Sequence, residues 1–210
     1  MPQITKLERQ KHNQNRISVF VDGQYAFSIS DELAVLYRLA PEVQLENALL
    51  AQMMQEDEYK RALSAAFAHM SHSEKSEKQM RNFLEKKEFS PAAIEQTVIR
   101  LQELGYLDDA ALAENFIAGS KTLGRRAIEY KLREKGLARE TIQEALEALD
   151  EDTQLAAAKA LAAKKAQKYA GLEEKIRRRK LSEFLARRGF DWDTITEALG
   201  ETTEDWEETE

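Results

Sequence analysis

The stretch RRAIEYKLREKGLARETIQEALEAL, Arg125 to Leu149, recurs in two further degenerate copies, and this repetition constrains the fold more than any other feature of the chain. A shift of 48 residues lays Met80, Leu84, Phe89, Ile94, Val98 and Leu101 on Ile128, Leu132, Leu137, Ile142, Leu146 and Leu149. A further shift of 53 brings up Leu181, Leu185, Phe190, Ile195 and Leu199. In every copy an apolar pair four residues apart marks one helical face, and a second apolar series follows a short break. Each copy is therefore read as a helix, a tight turn and a second helix.

The break has its own chemistry. Gly136 and Gly189 stand where a helix ends by turning left-handed, and the residue that follows, Leu137 or Phe190, can pack back on Leu132 or Leu185 as in a Schellman cap. The first copy keeps the apolar contact, Leu84 with Phe89, but has Glu88 in place of glycine, which predicts a strained or looser turn. Ser90 with Pro91, and Asp191, are good N-terminal signals for the helices that follow, whereas Ala138 forgoes about 0.5–2 kcal/mol of capping. Leu101, Gly105 and Tyr106 repeat the capping pattern at the end of the first copy.

An additional amphipathic stretch precedes each copy, so the units have three helices, and none can bury its apolar face alone. The first helix carries Leu63, Ala66, Phe67 and Met70 in unit one, Leu112, Phe116 and Ile117 in unit two, and the alanine-rich LAAAKALAAKKAQKY in unit three. The first 30 residues differ: ITKLERQ and RISVFV alternate apolar and polar side chains, and Asp22-Gly23 before YAFSI is a type I′ hairpin signal. A sheet of two or three strands is expected there, packed on helix because it is too small to stand alone. Ser30 and Asp31 cap the next helix, and LENALLAQMMQEDEYKRALSAAFAHM reads as one long helix or two.

The fold class expected is mainly α: tandem, elongated three-helix repeats of helix-turn-helix type with a small N-terminal β-hairpin or sheet. The segments are 1–58 (hairpin and helix), 59–107, 108–152 and 153–200 (repeats), and 201–210 (acidic tail).

Composition excludes several classes. No cysteine is present, which removes disulfide and thiol chemistry and fits a reducing compartment. No apolar run approaches a membrane span and no signal-peptide layout opens the chain, so the expected location is cytoplasmic. GSKTLGRR, Gly119 to Arg126, resembles a phosphate-binding loop but has Arg125 and Arg126 where lysine and a hydroxyl residue are required, and no strand precedes it; it reads as a flexible link. His69 and His72 stand one helical turn apart with no third ligand at a motif spacing, so no metal site is expected. No nucleophile with an identifiable base emerges. The chain is read as a non-enzyme with no cofactor.

Net charge is -7, yet six acids fall in the last ten residues and the cations are bunched: Lys121, Arg125, Arg126, Lys131, Arg133 and Lys135 in one group, Lys175, Arg177 to Lys180, Arg187 and Arg188 in another. With Ile128 and Leu132 inward, helical geometry places Arg126, Tyr130 and Arg133 together on the outward face. Arginines with an aromatic between them suit a nucleic-acid or protein interface. The corresponding residues are Lys78, Asn82 and Glu85 in the first copy and Arg179, Glu183 and Ala186 in the third, so the second copy is specialised. The acidic tail is expected to be solvated, or to compete for the basic face.

With these residues in view, the chain resembles the RecX family of bacterial recombination regulators, in the form found in Gram-positive bacteria. The resemblance is carried by DGQYAFSI, LQELGYLDD, ENFI followed by GRRAIEYKLREKG, and KLSEFLARRGFDWDTITEAL, and extends to about residue 200. Gly105 to Asp109 and the Gly-Arg-Arg helix start are its most specific marks; the acidic tail departs from it. The resemblance implies a regulator of RecA that lodges in the groove of the recombinase filament on single-stranded DNA, inhibiting ATP hydrolysis and strand exchange or promoting disassembly, in recombination, DNA repair and the SOS response. The expected partners are the RecA filament and, weakly or through the filament, single-stranded DNA, with the protein itself a monomer. From charge placement, Arg125, Arg126, Tyr130, Lys131, Arg133 and Lys135 are the expected contact, supported by Arg178, Arg179, Arg187 and Arg188. A stand-alone nucleic-acid-binding protein is the alternative.

Overall fold

The computed structural model describes residues 2–200; the acidic tail lies outside the described residues. The described residues divide into two compact units, one made of 2–73 with Met80–Leu104, the other of Glu74–Gln79 with 105–200.

The first unit begins with a three-stranded antiparallel sheet, β1 (Ile4–Arg9), β2 (Arg16–Val21) and β3 (Gln24–Ser30), in the order β1-β2-β3. Asp22 (φ 51) and Gly23 (φ 84) both turn left-handed, as the type I′ hairpin demands. Alternation puts Val19 of β2 with Phe27 and Ile29 of β3 on the inner face, and Phe20 with Tyr25 on the outer face, their rings edge-on at 6.0 Å. The Ser30 hydroxyl caps α1 (Asp31–Leu36) by accepting from the Leu33 amide. Leu33, Ala34, Leu45 and Met53 complete the core beneath the sheet.

One continuous helix, α2 (Asn47–Met70), covers this core with Met53. Asp57, only 4% exposed on the same helix, accepts from the Arg16 guanidinium at 2.9 and 3.2 Å, from the Ser30 amide at 2.9 Å and from Arg61 at 3.1 Å. A buried carboxylate so fully engaged fixes the sheet on the helix, and removing either charge costs about 3–5 kcal/mol. Farther along α2, the Glu58 carboxylate accepts from the amide and hydroxyl of Ser90, the N-cap of α4 (Pro91–Glu103). His69 stacks on Phe83, ring centroids 3.9 Å apart, while His72 lies past the end of α2. The two histidines therefore share no helical face, and no metal-binding group of residues occurs among the described residues.

The second unit holds two three-helix arrays: α5 (Asp109–Gly119), α6 (Arg125–Lys135) and α7 (Arg139–Glu147), then α8 (Glu151–Ala166), α9 (Glu174–Arg187) and α10 (Trp192–Leu199). Leu112, Ile128, Leu132, Leu137, Ile142 and Leu146 fill the first array, and Ala158, Ala162, Leu185, Phe190 and Ile195 the second. Alanine on α8 leaves room for the Phe190 ring. Asp108, Asp150 and Asp191 cap α5, α8 and α10 by accepting from backbone amides; Ala138 at the start of α7 makes no such bond.

The predicted turn recurs three times. After α3 (Glu77–Lys86), the Phe89 amide bonds to the Leu84 carbonyl and Glu88 to Glu85; the pairs are Leu137 to Leu132 and Gly136 to Arg133 after α6, and Phe190 to Leu185 and Gly189 to Ala186 after α9. Glu88 adopts φ 62 without being glycine, and so bears the strain expected of it.

Candidate functional site

The start of α6 is built into its surroundings. Gly124 donates its amide to the Arg188 carbonyl at 2.9 Å, and Arg126 donates its amide to the Gly189 carbonyl at 3.0 Å. A Cβ at Gly124 would stand 2.2 Å from the Phe190 nitrogen, and one at Gly189 would stand 2.3 Å from the Ala127 nitrogen. The glycines allow two backbones to meet where no side chain fits. GSKTLGRR is thus not the free link its composition suggests; its last residues form a junction with the turn after α9. The same junction recurs one position set earlier. Ser76, in the place of Gly124, is fully buried and its hydroxyl donates to the Lys135 carbonyl, in the place of Arg188. Lys78 lies against Gly136, where a Cβ would come within 2.6 Å of its side chain. The repeat offset pairs small residues, Ser76 and Gly124, and that was the sequence signal for this contact.

These constraints sort the cations expected to form an interface. Arg125 turns inward, its guanidinium donating to the Leu146 carbonyl at 3.1 Å while its amide is bound by Gln154 at 3.1 Å. Lys135 lies over the Phe116 ring at 5.7 Å. Arg126, Tyr130 and Arg133 are exposed, Tyr130 to 59%, as the helical face requires. That face is mixed in charge: Arg133 pairs with Glu129, and Glu134 accepts a hydrogen bond from the Tyr130 hydroxyl, which raises the phenol pKa above its usual value. Burial pushes the Asp191 carboxyl up, but hydrogen bonds from Thr194 and, to a lesser degree, the charge of Arg126 leave its pKa lowered. Lys131 is exposed on the flank of the helix. Arg133 also borders a surface cleft floored by Leu137 and Ile142 and edged by Arg139 and Gln143.

On α9 the arginines are tied to carboxylates on their own helix. Arg177 and Arg178 pair with Glu174, the latter at 3.1 Å, and Arg179 and Arg187 share Glu183 at 3.9 and 3.8 Å. Glu174 is held below the usual carboxylate range by the hydrogen bonds from Arg177 and Arg178. Such exposed pairs are weak and release their arginines readily to a stronger anion. The arrangement offers cations, an exposed tyrosine and hydrogen-bond donors.

Comparison with known proteins is consistent over nearly the whole chain. Family models match in order: the regulatory protein RecX N-terminal domain at residues 2–46 and the first, second and third RecX three-helix domains at 62–101, 108–146 and 152–199. A regulatory protein RecX of Levilactobacillus brevis is 34% identical over 204 residues, covering 95% of this chain and 76% of the relative. One from Clostridioides difficile is 31% identical over 199 residues, covering 93% of each. Among solved structures, a regulatory protein RecX superposes with a TM-score of 0.71 at 24% identity, covering 96% of this chain and 100% of that one, and RecX from Lactobacillus salivarius with 0.65 at 21%, covering 69% and 96%. The two structures support the fold, and the sequence matches settle the lineage: the chain belongs to the RecX family of regulatory proteins.

Proposed function

We propose that this protein binds the RecA filament on single-stranded DNA and inhibits its ATP hydrolysis and strand exchange, acting as a regulator of recombination and DNA repair and not as a catalyst. Family membership supports the choice of partner. The observation that carries the reading is the exposed face of α6, where Arg126, Tyr130 and Arg133 stand clear of the core that Ile128 and Leu132 fill. Supported by Arg178, Arg179, Arg187 and Arg188 on and beside α9, such a surface makes several modest contacts whose sum gives affinity for a repetitive filament. Its cations add a salt-dependent component near DNA.

The test is DNA-dependent ATP hydrolysis by the cognate RecA as the protein is titrated in, with binding to bare single-stranded DNA followed in parallel at moderate salt. Inhibition well below the concentration that coats bare DNA is the expected result. Inhibition that sets in only as the DNA is covered means competition for substrate, and a stand-alone nucleic-acid-binding protein.

A further inference from the structure

Between Lys159 and Arg188 there are eleven Lys and Arg against three Glu, in a chain whose net charge is -7. Two of those glutamates, Glu174 and Glu183, are occupied by the arginines of α9. Three other cations converge on two half-buried rings. Lys165, near the end of α8, has its Nζ 5.1 Å from the centre of the Phe184 ring and 5.7 Å from that of Tyr169. The Lys180 Nζ lies 6.0 Å from the Tyr169 ring, and the Arg188 guanidinium 5.4 Å from the Phe184 ring. No carboxylate pairs with Lys165, Lys180 or Arg188 among the described residues. The rings hold the cations in place by cation–π attraction, which leaves their charge uncompensated. Clustering like charges without counterions opposes folding, and a bound polyanion relieves that repulsion.

We infer that Lys165, Lys180 and Arg188, arrayed on Tyr169 and Phe184, form a binding site for the phosphates of single-stranded nucleic acid. The rings are engaged by cations, so the site grips the backbone and not the bases, and sequence preference is not expected. A run of phosphates matches several fixed cations at once, with Lys164 and Lys168 exposed alongside on α8 and the turn after it. The inference rests on the reading of DNA as a partner, and it assigns that role to the third three-helix array instead of to α6.

The experiment is fluorescence anisotropy of a labelled oligothymidylate with the full chain across a salt series, without RecA. Lys165→Gln/Lys180→Gln/Arg188→Gln is compared with a control lacking three lysines elsewhere, Lys11→Gln/Lys86→Gln/Lys87→Gln. Loss of three phosphate contacts lowers affinity at low salt by about tenfold or more and makes the slope of log K against log salt shallower by about 2. The control retains the wild-type slope. If the triple variant fails a circular dichroism check, Lys165→Gln/Lys180→Gln replaces it, with about two-thirds of the effect on the slope. Wild-type binding by the cluster variant, an equal loss in the control, or equally effective displacement by a polyglutamate peptide of matched length would each overturn the site. RecA is absent from the assay, so its failure leaves filament regulation untouched, and an unregulated RecA ATPase leaves this site untouched.

Discussion

Gly189 turns left-handed with φ 84, and a methyl group there would meet the Ala127 nitrogen at 2.3 Å; Gly105 has φ 72 but open space around it. The two positions separate backbone strain from close packing. Gly105→Ala is expected to cost about 1–2 kcal/mol, the price of a left-handed alanine. Gly189→Ala adds forced separation of two backbones and is expected to cost at least about 3 kcal/mol, read as melting temperature by circular dichroism. Equal losses at both sites would mean that the junction has slack. Asp191, the N-cap of α10, supplies a pH-dependent contrast. Burial alone would raise its pKa, but hydrogen bonds from Thr194 and the charge of Arg126 outweigh it and leave the pKa lowered. A carboxylate depressed in the folded state stabilises above its unfolded pKa of about 3.9 and loses that contribution as pH falls through the folded value. Asp191→Ala is therefore expected to cost about 1 kcal/mol near neutrality, a deficit that shrinks in melts at progressively lower pH below about 4.

Helices and their turns were the most legible level, because an apolar spacing of three and four and a left-handed break report on neighbours a few residues away. The three Schellman turns, the Ser90, Asp108 and Asp191 caps and the uncapped start of α7 follow from local chemistry. The junctions were not legible in the same way, since Ser76 and Gly124 meet carbonyls distant in the chain. Ser76→Ala removes a hydroxyl that is wholly buried against the Lys135 carbonyl, and about 1–3 kcal/mol of stability is expected to go with it in chemical denaturation. The face of α6 yields a functional prediction at the same scale. Arg126→Gln/Arg133→Gln is expected to keep the wild-type circular dichroism spectrum and to raise the concentration needed to inhibit RecA by about tenfold, the loss of roughly 1.4 kcal/mol from two exposed contacts. Neutral glutamine is preferred to charge reversal, since a glutamate at Arg126 would face Asp191. Unchanged inhibition would remove α6 from the interface.

Over the whole molecule, the acidic net charge conceals two bunches of cations that were visible in the sequence. Whether a cation is available depended on partners the sequence could not name. Arg125 is spent on the Leu146 carbonyl and Lys135 lies over Phe116, while Lys165 and Lys180, outside the residues first expected to bind, gather on Tyr169 and Phe184. The sequence by itself determined the repeat, the helices, the caps and the hairpin, because each depends on periodicity and backbone preference within a few residues. Tertiary structure alone decided which glycines are junctions, that Asp57 binds the sheet to α2, and which cations remain without a carboxylate. Those outcomes depend on contacts between residues far apart in the chain, which local spacing does not encode.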